Sequence, residues 1–283
     1  MSSGRQTNIV VICAVAIFAT CVTVVLAILF MHKSWIRFAS ELNIAQHDAP
    51  VVHVNMTTIP ERFASAWFVN NMRRLLTTMR GNFVWWCNVP PTFGSTGKPY
   101  VVTRRVRKLL KDFPNFRLFH TSTDYGPVTK ILGPVYNAEI PLTAPLLICD
   151  DDIQYHPEFV RTAAAHFARD PTRVYSFCGP AIMGFRGYMV EKRLCLDIPT
   201  NMPASCRRID DDLMDLYFNG IVTPITYQGD RTSMCTLDGS DMGEAHTDDK
   251  TALRHDNRKP MVIACRRDFH EAARRSLLPR PDH

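Results

Sequence analysis

The sequence has no Cys-x-x-Cys pair, although it holds nine cysteines. That absence removes the zinc-ribbon and thioredoxin-like readings. It has no internal repeat, which excludes a solenoid, and no low-complexity run. Its basic stretches, Arg104-Arg105-Val106-Arg107-Lys108, Arg266-Arg267 and Arg274-Arg275, carry no interleaved aromatics. A nucleic-acid platform needs such stacking partners, so that class is set aside. The stretches read as solvated helix faces, with a phosphate-binding rim or a membrane-surface contact as weaker alternatives. The net charge of +6 is modest for 283 residues.

Long apolar runs are also scarce, with one exception. Ile9 to Met31 carries no charged residue and is rich in Val, Ile, Ala and Leu. At about 1.5 Å per residue it can cross a hydrocarbon core of about 30 Å. It is too long for the apolar region of a cleaved signal peptide, and no clear small-x-small cleavage site follows it. The expected organisation is a short tail (1–8), a transmembrane anchor (9–31), a stem (32–48) and one α/β domain (49–283). Arg5 flanks one side of the anchor and Lys33 and Arg37 the other, so flanking charge does not decide orientation. The short N-terminal tail suggests a type II protein with its catalytic domain in the Golgi or ER lumen, and a cytosolic orientation stays open. Cys149 and Cys178 lie in apolar runs and read as buried thiols. Cys195 and Cys206 flank a proline-containing loop and are a candidate pair in an oxidising compartment.

Strands and helices alternate along the domain. Val51 to Val54, Phe83 to Val89, Phe116 to Phe119, Leu146 to Ile148 and Val174 to Cys178 read as strands. Ala64 to Thr78, Arg104 to Phe113, Pro127 to Tyr136 and Glu158 to Ala168 have helical spacing. Alternation of this kind predicts a mainly parallel sheet flanked by helices.

Four patches carry chemistry. Thr57-Thr58-Ile59-Pro60-Glu61-Arg62 follows the first strand. Asp124-Tyr125-Gly126-Pro127-Val128-Thr129-Lys130 opens a helix. Asp150-Asp151-Asp152 ends the apolar strand Leu146 to Ile148. Arg208-Ile209-Asp210-Asp211-Asp212-Leu213 leads into another helix. Three neighbouring carboxylates repel one another and resist desolvation, so they call for a positive partner. A divalent cation that bridges to phosphate oxygens meets that need.

The ordered set resembles the nucleotide-sugar-dependent glycosyltransferases of the GT-A fold, family 2-like in character. It is most similar to a group in large viruses, bacteria and protists with a TTIPxR start, a DxGPxTK loop and a DDD cluster. The resemblance runs from about Val51 to Val222. It implies a Rossmann-like sheet and a metal-dependent transfer of sugar from a nucleotide diphosphate, a UDP-sugar first, to a hydroxyl of a glycan, protein or lipid acceptor. It places Thr57, Thr58, Arg62, Asp124, Gly126, Lys130, Asp150 and Asp151 around the nucleotide-sugar. It makes Asp150 and Asp152 the ligands of Mn²⁺ or Mg²⁺, with His255 preferred over His246 as a third ligand. It makes Asp211 the general base of an inverting reaction. Each has a plainer reading beside it: Thr58, Asp124 and Asp211 as helix caps, Lys130 as a surface charge, His255 as an exposed histidine. Asn55-Met56-Thr57 also matches a glycosylation acceptor, expected to be unused if it lies in the crevice.

Rival classes fit less well. A haloacid-dehalogenase-type phosphatase needs DxDx[TV] and a prenyl-diphosphate synthase needs DDxxD; in both, the fifth position here is Gln154. A non-catalytic, membrane-tethered binding protein of the same fold is the remaining alternative.

Overall fold

Val52–Met56, the first strand, is buried along its whole length. Strands buried on both faces belong in the middle of a sheet covered by helices, and that is its place here. The structure is a computed structural model and describes residues 50–94, 96–184, 186–198, 202–225, 235–236 and 258–277. We number the strands of the main sheet β1 (Val52–Met56), β2 (Phe83–Val89), β3 (Phe116–His120), β4 (Pro145–Ile148), β5 (Val174–Ser176), β6 (Tyr188–Glu191) and β7 (Val222–Pro224). Their spatial order is β7-β5-β6-β4-β1-β2-β3. β1 runs parallel to β2 and β4, with Val54 opposite Trp85 on one side and Leu147 on the other. β2 with β3, and β5 with β7, are parallel too. Within this sheet β6 alone is reversed against its neighbours, β4 and β5. The mixed α/β fold with a mainly parallel sheet agrees with the alternation in the sequence.

The main helices are α1 (Ala66–Thr78), α2 (Arg104–Asp112), α3 (Thr129–Tyr136), α4 (Phe159–Phe167), α5 (Asp210–Tyr217) and α6 (Arg258–Leu277). Side chains alternate across the strands and so feed two cores. Val52, Val54, Trp85 and Leu147 pack with Phe68, Met72 and Leu75 of α1, Val106 and Leu109 of α2 and Phe159 of α4. Trp86, Leu146, Ile148 and Val190 pack on the other face with Ile131 and Leu132 of α3 and Leu213 and Met214 of α5.

Several boundaries differ from expectation for local reasons. α1 starts at Ala66 rather than Ala64 because the Ser65 hydroxyl caps it, accepting from the Phe68 N–H at 3.0 Å. The helix expected from Pro127 splits: Gly126–Val128 is a 3₁₀ turn, and α3 follows from Thr129. β6 was not anticipated. The expected Cys195–Cys206 pair is corrected: Cys206 is bonded to Cys265 of α6, 59 residues away, and Cys195 is a buried free thiol. Cys149 is buried, but Cys178 is only partly so. No helix among the described residues is long and apolar enough to cross a membrane. The expected anchor, 9–31, and His246 and His255 lie outside the described residues.

Candidate functional site

The chain leaves β1, moves outward through β2 and β3, and returns to the other side of β1 as β4. Loops from the carboxyl ends of β1 and β4 therefore diverge and open a crevice, the usual ligand position in open α/β sheets. A cleft of about 440 Å³ lies there. Thr57, Thr58 and Arg62 line it from the β1 loop, and Asp124, Gly126 and Lys130 from the start of α3. Asp150, Asp151 and Asp152 line it from the β4 loop, and Asp211 from α5. Ten of the eleven candidate residues thus share one cavity, although they span more than half of the domain's length. His255 is the exception, being outside the described residues.

The three β4 aspartates have different fates. Asp151 is 4% exposed and points into the protein. It accepts hydrogen bonds from the Thr58 hydroxyl and from Arg62 Nη1, the latter at 2.8 Å. It rivets the β4 loop to the β1 loop. Asn71 of α1 holds the same loop by donating to the Asp151 and Ile153 carbonyls. Burial pushes the Asp151 carboxyl up to about 7, with Arg62 opposing. Asp150 and Asp152 stand on either side. Asp152 pairs with Arg62 at 2.7 Å and Asp150 with Lys130 at 2.6 Å.

Lys130 is a counter-ion. It is 3% exposed and lies between Asp150 and Asp210, the latter 2.5 Å away. Burial works to lower its affinity for a proton, but Asp150, Asp210 and Asp211 outweigh burial and hold it charged. The positive charge that the aspartates demanded is therefore supplied in part by Lys130 and Arg62. An added Cβ at Gly184 would meet Lys130 Nζ, so a larger residue there would push the ammonium away from its carboxylates.

Asp124 is a strap. Its Oδ1 accepts the Gly126 N–H at 2.7 Å and its Oδ2 the Gly94 N–H at 2.5 Å, closing the loop that follows β2 onto the start of α3. Gly126 has φ +63, and the Arg207 carbonyl lies 2.8 Å from where a Cβ would be; no other residue type allows that approach. Asn55 is fully buried and its Nδ2 donates to the His53 carbonyl at 2.7 Å, so its glycosylation motif is inaccessible.

Asp211 opens α5, where an acidic side chain suits the helix dipole. Its Oδ1 accepts the Gly184 N–H at 2.7 Å, which fixes the carboxyl at the cleft wall. Burial, and then the charge of Asp210, push its pKa up to about 8. A carboxyl with that affinity can both take and release a proton near neutral pH.

The outer aspartates suit a hard dication, whose preferred donors are carboxylate oxygens, and the Asp150 side chain is 32% exposed at the cleft. No cluster of three His, Cys, Asp or Glu side chains among the described residues forms a cage for one. An ion that arrives on phosphate oxygens needs only one or two protein carboxylates. Asp150 and Asp152 fit that mode.

Sequence reasoning missed Tyr100, Gly184 and the two arginines of the cleft wall, Arg207 and Arg208. The Tyr100 hydroxyl donates to the Thr58 carbonyl at 2.7 Å and closes one end of the cleft. Nothing in the spacing signals Tyr100 or Gly184. Arg208, by contrast, opens a recognised patch, and Arg207 directly precedes it.

No protein-family model and no curated protein matches the chain. Solved structures do. S. aureus TarS (residues 1–349) matches with a TM-score of 0.47 and 11% identity over 78% of this chain and 80% of that one. Glucosyl-3-phosphoglycerate synthase of Mycobacterium tuberculosis, in complex with Mn²⁺, UDP-glucose and phosphoglyceric acid, matches at 0.39 with 12% identity over 65% and 72%. A 4-diphosphocytidyl-2C-methyl-D-erythritol synthase matches at 0.41 with 8% identity over 62% and 90%. Likenesses this distant do not decide between chemistries, and the reading below rests on the cleft.

Proposed function

We propose that the chain is a GT-A-type glycosyltransferase that moves a sugar from a nucleotide diphosphate, UDP first, to a hydroxyl acceptor with inversion. One observation carries the reading. The Asp150–Asp152 triplet and the Asp210–Asp211 pair, about 60 residues apart in sequence, meet the β1 loop in a single cleft at the sheet's switch point.

In this reading the β1 loop and the Asp124–Gly126 turn hold the nucleotide. Asp150 and Asp152 would hold Mn²⁺ or Mg²⁺, which when bound would supply charge neutralisation for the departing diphosphate. To do so, Asp152 would give up its pair with Arg62 and Asp150 its pair with Lys130. Asp211, steadied through Oδ1 by Gly184, takes the acceptor's hydroxyl proton on its other oxygen. The acceptor oxygen then bonds to the anomeric carbon from the face opposite the diphosphate. The bond from that carbon to the diphosphate breaks, and the nucleoside diphosphate leaves. His255 as a further ligand belongs to the same proposal.

The Cys206–Cys265 disulfide favours an oxidising compartment. With the apolar run at 9–31, it supports a type II protein working in the Golgi or ER lumen. The decisive experiment is a screen of nucleotide sugars with Mn²⁺, reading released nucleoside diphosphate, with nucleotide binding followed by calorimetry. Turnover of one donor, abolished by Asp152→Ala, is the expected result. Nucleotide binding without turnover of any donor would favour a non-catalytic binding protein, and no binding at all would overturn the reading.

A further inference from the structure

The cleft holds cations of two kinds. Arg62 and Lys130 are committed to Asp151, Asp152, Asp150 and Asp210. Arg207 and Arg208 also line the cleft, but they are exposed, and their guanidinium groups make no hydrogen bond or ion pair among the described residues. Two adjacent unpaired arginines on the wall of a cleft crowded with carboxylates imply an anion that is not part of the protein.

Their backbone is fixed from three sides. Cys206, just before them, is buried and tied to α6 by the disulfide. Ile209, just after them, is buried, and its N–H donates to the Cys206 carbonyl at 3.1 Å. The Arg207 carbonyl presses against Gly126. A rigid turn thus presents two guanidinium groups, which costs less ordering on binding than a flexible loop would.

The position selects the ligand, given the reading proposed above, on which this step rests. Arg207 and Arg208 precede Asp211 by a single turn of chain, on the wall of the base. An inverting base faces the acceptor, across the reacting carbon from the diphosphate. A diphosphate would have the dication at Asp150 and Asp152 as its counter-charge; an anionic acceptor would have none and needs fixed positive charge to approach the aspartates. Guanidinium forks match the oxygens of phosphate, and two of them match its dianion.

We propose that Arg207 and Arg208 form an anion subsite for the acceptor, and that the acceptor carries a phosphate monoester near the hydroxyl that receives the sugar. Inorganic phosphate, titrated calorimetrically into the full-length protein, is the first probe. It is expected to bind equally well with and without saturating UDP and Mg²⁺, and more weakly as salt rises. Arg207→Ala/Arg208→Ala should weaken phosphate binding at least tenfold and leave UDP affinity and the melting temperature unchanged. Arg207→Lys/Arg208→Lys should recover part of the loss. Glycerol 3-phosphate and vesicles containing phosphatidic acid then separate a soluble from a lipid-borne acceptor; arginine-dependent binding of either supports the subsite. Phosphate binding that survives the double alanine change would overturn the proposal. So would displacement of phosphate by UDP, which would give the arginines to the donor. If UDP fails to bind while arginine-dependent phosphate binding persists, the donor reading falls and the anion subsite stands.

Discussion

Asp150 to Asp152 and Asp210 to Asp212 have the same composition and opposite settings. The first triplet follows a buried strand, where no helix dipole offsets its charge. Its middle member turns inward to Thr58 and Arg62, and its outer members meet cations at the cleft. The second opens α5, where free backbone N–H groups favour negative charge. Its members separate in three directions: Asp210 to Lys130, Asp211 to the Gly184 N–H and Asp212 to Arg266 at 3.4 Å. Identical residues thus become a rivet between loops, partners of the cleft's Arg62 and Lys130, the acceptor of a backbone N–H and the partner of an exposed arginine. Backbone context, not side-chain type, assigns those tasks.

The largest effect should separate the triplets by reaction step. Asp211→Asn keeps the shape and the Gly184 contact but removes the proton acceptor. Turnover should fall about 10²–10⁴-fold, with UDP affinity essentially that of the parent by calorimetry. An equal loss of nucleotide binding would erase the distinction between the two clusters.

The next effect divides the first triplet internally. Asp151→Asn should destabilise the fold by about 1–3 kcal/mol in urea unfolding, because buried hydrogen bonds from Thr58 and Arg62 are lost or weakened while Arg62 keeps Asp152. Asp152→Asn should cost less than about 1 kcal/mol and weaken Mn²⁺-dependent UDP binding instead. Equal destabilisation by both changes would break the assignment of the middle residue as the rivet.

The smallest effect is a background against which any pH dependence of the acids must be read. His53 is 8% exposed, and its Nδ1 accepts from Trp86 Nε1 at 3.0 Å, so it is neutral. Burial, helped by Arg117 and Lys192, lowers its pKa from 6.5 to about 4. Between those values the unfolded chain binds a proton that the native chain refuses. His53 therefore takes on the order of 2–3 kcal/mol from the free energy of unfolding as pH drops through that window, while the raised Asp151 and Asp211 carboxyls work the other way. Urea midpoints at about pH 7 and about pH 4.5, compared between the parent and His53→Phe, should isolate this share, with the variant losing less stability, or gaining more, at the lower pH.

Much of the fold was legible because its strands are short apolar runs between clear punctuation. Phe83 to Val89, stopped by Pro90-Pro91, came out with both ends right. β6 escaped because Tyr188–Glu191 follows an irregular loop and offers too few residues for a period to emerge. The meeting of the acidic and glycine patches was legible from their order along an alternating chain. What the sequence left hidden were contacts made at long range. The acids visibly needed positive charge, but nothing in one dimension says that Arg62 and Lys130 provide it. Nor does spacing reveal that Cys206 pairs forward with Cys265 rather than back with Cys195.

That link also orders events during synthesis. α6 packs on the turn before α5, with Ser205 donating to Asp268 at 2.7 Å beside the bridge. The wall that carries Arg207 to Asp211 is thus secured by a partner that leaves the ribosome after it, the two cysteines standing 59 residues apart. A nascent chain can assemble the β1 side of the cleft early, yet the Asp211 side stays unlocked until α6 has followed it out and an oxidant has acted.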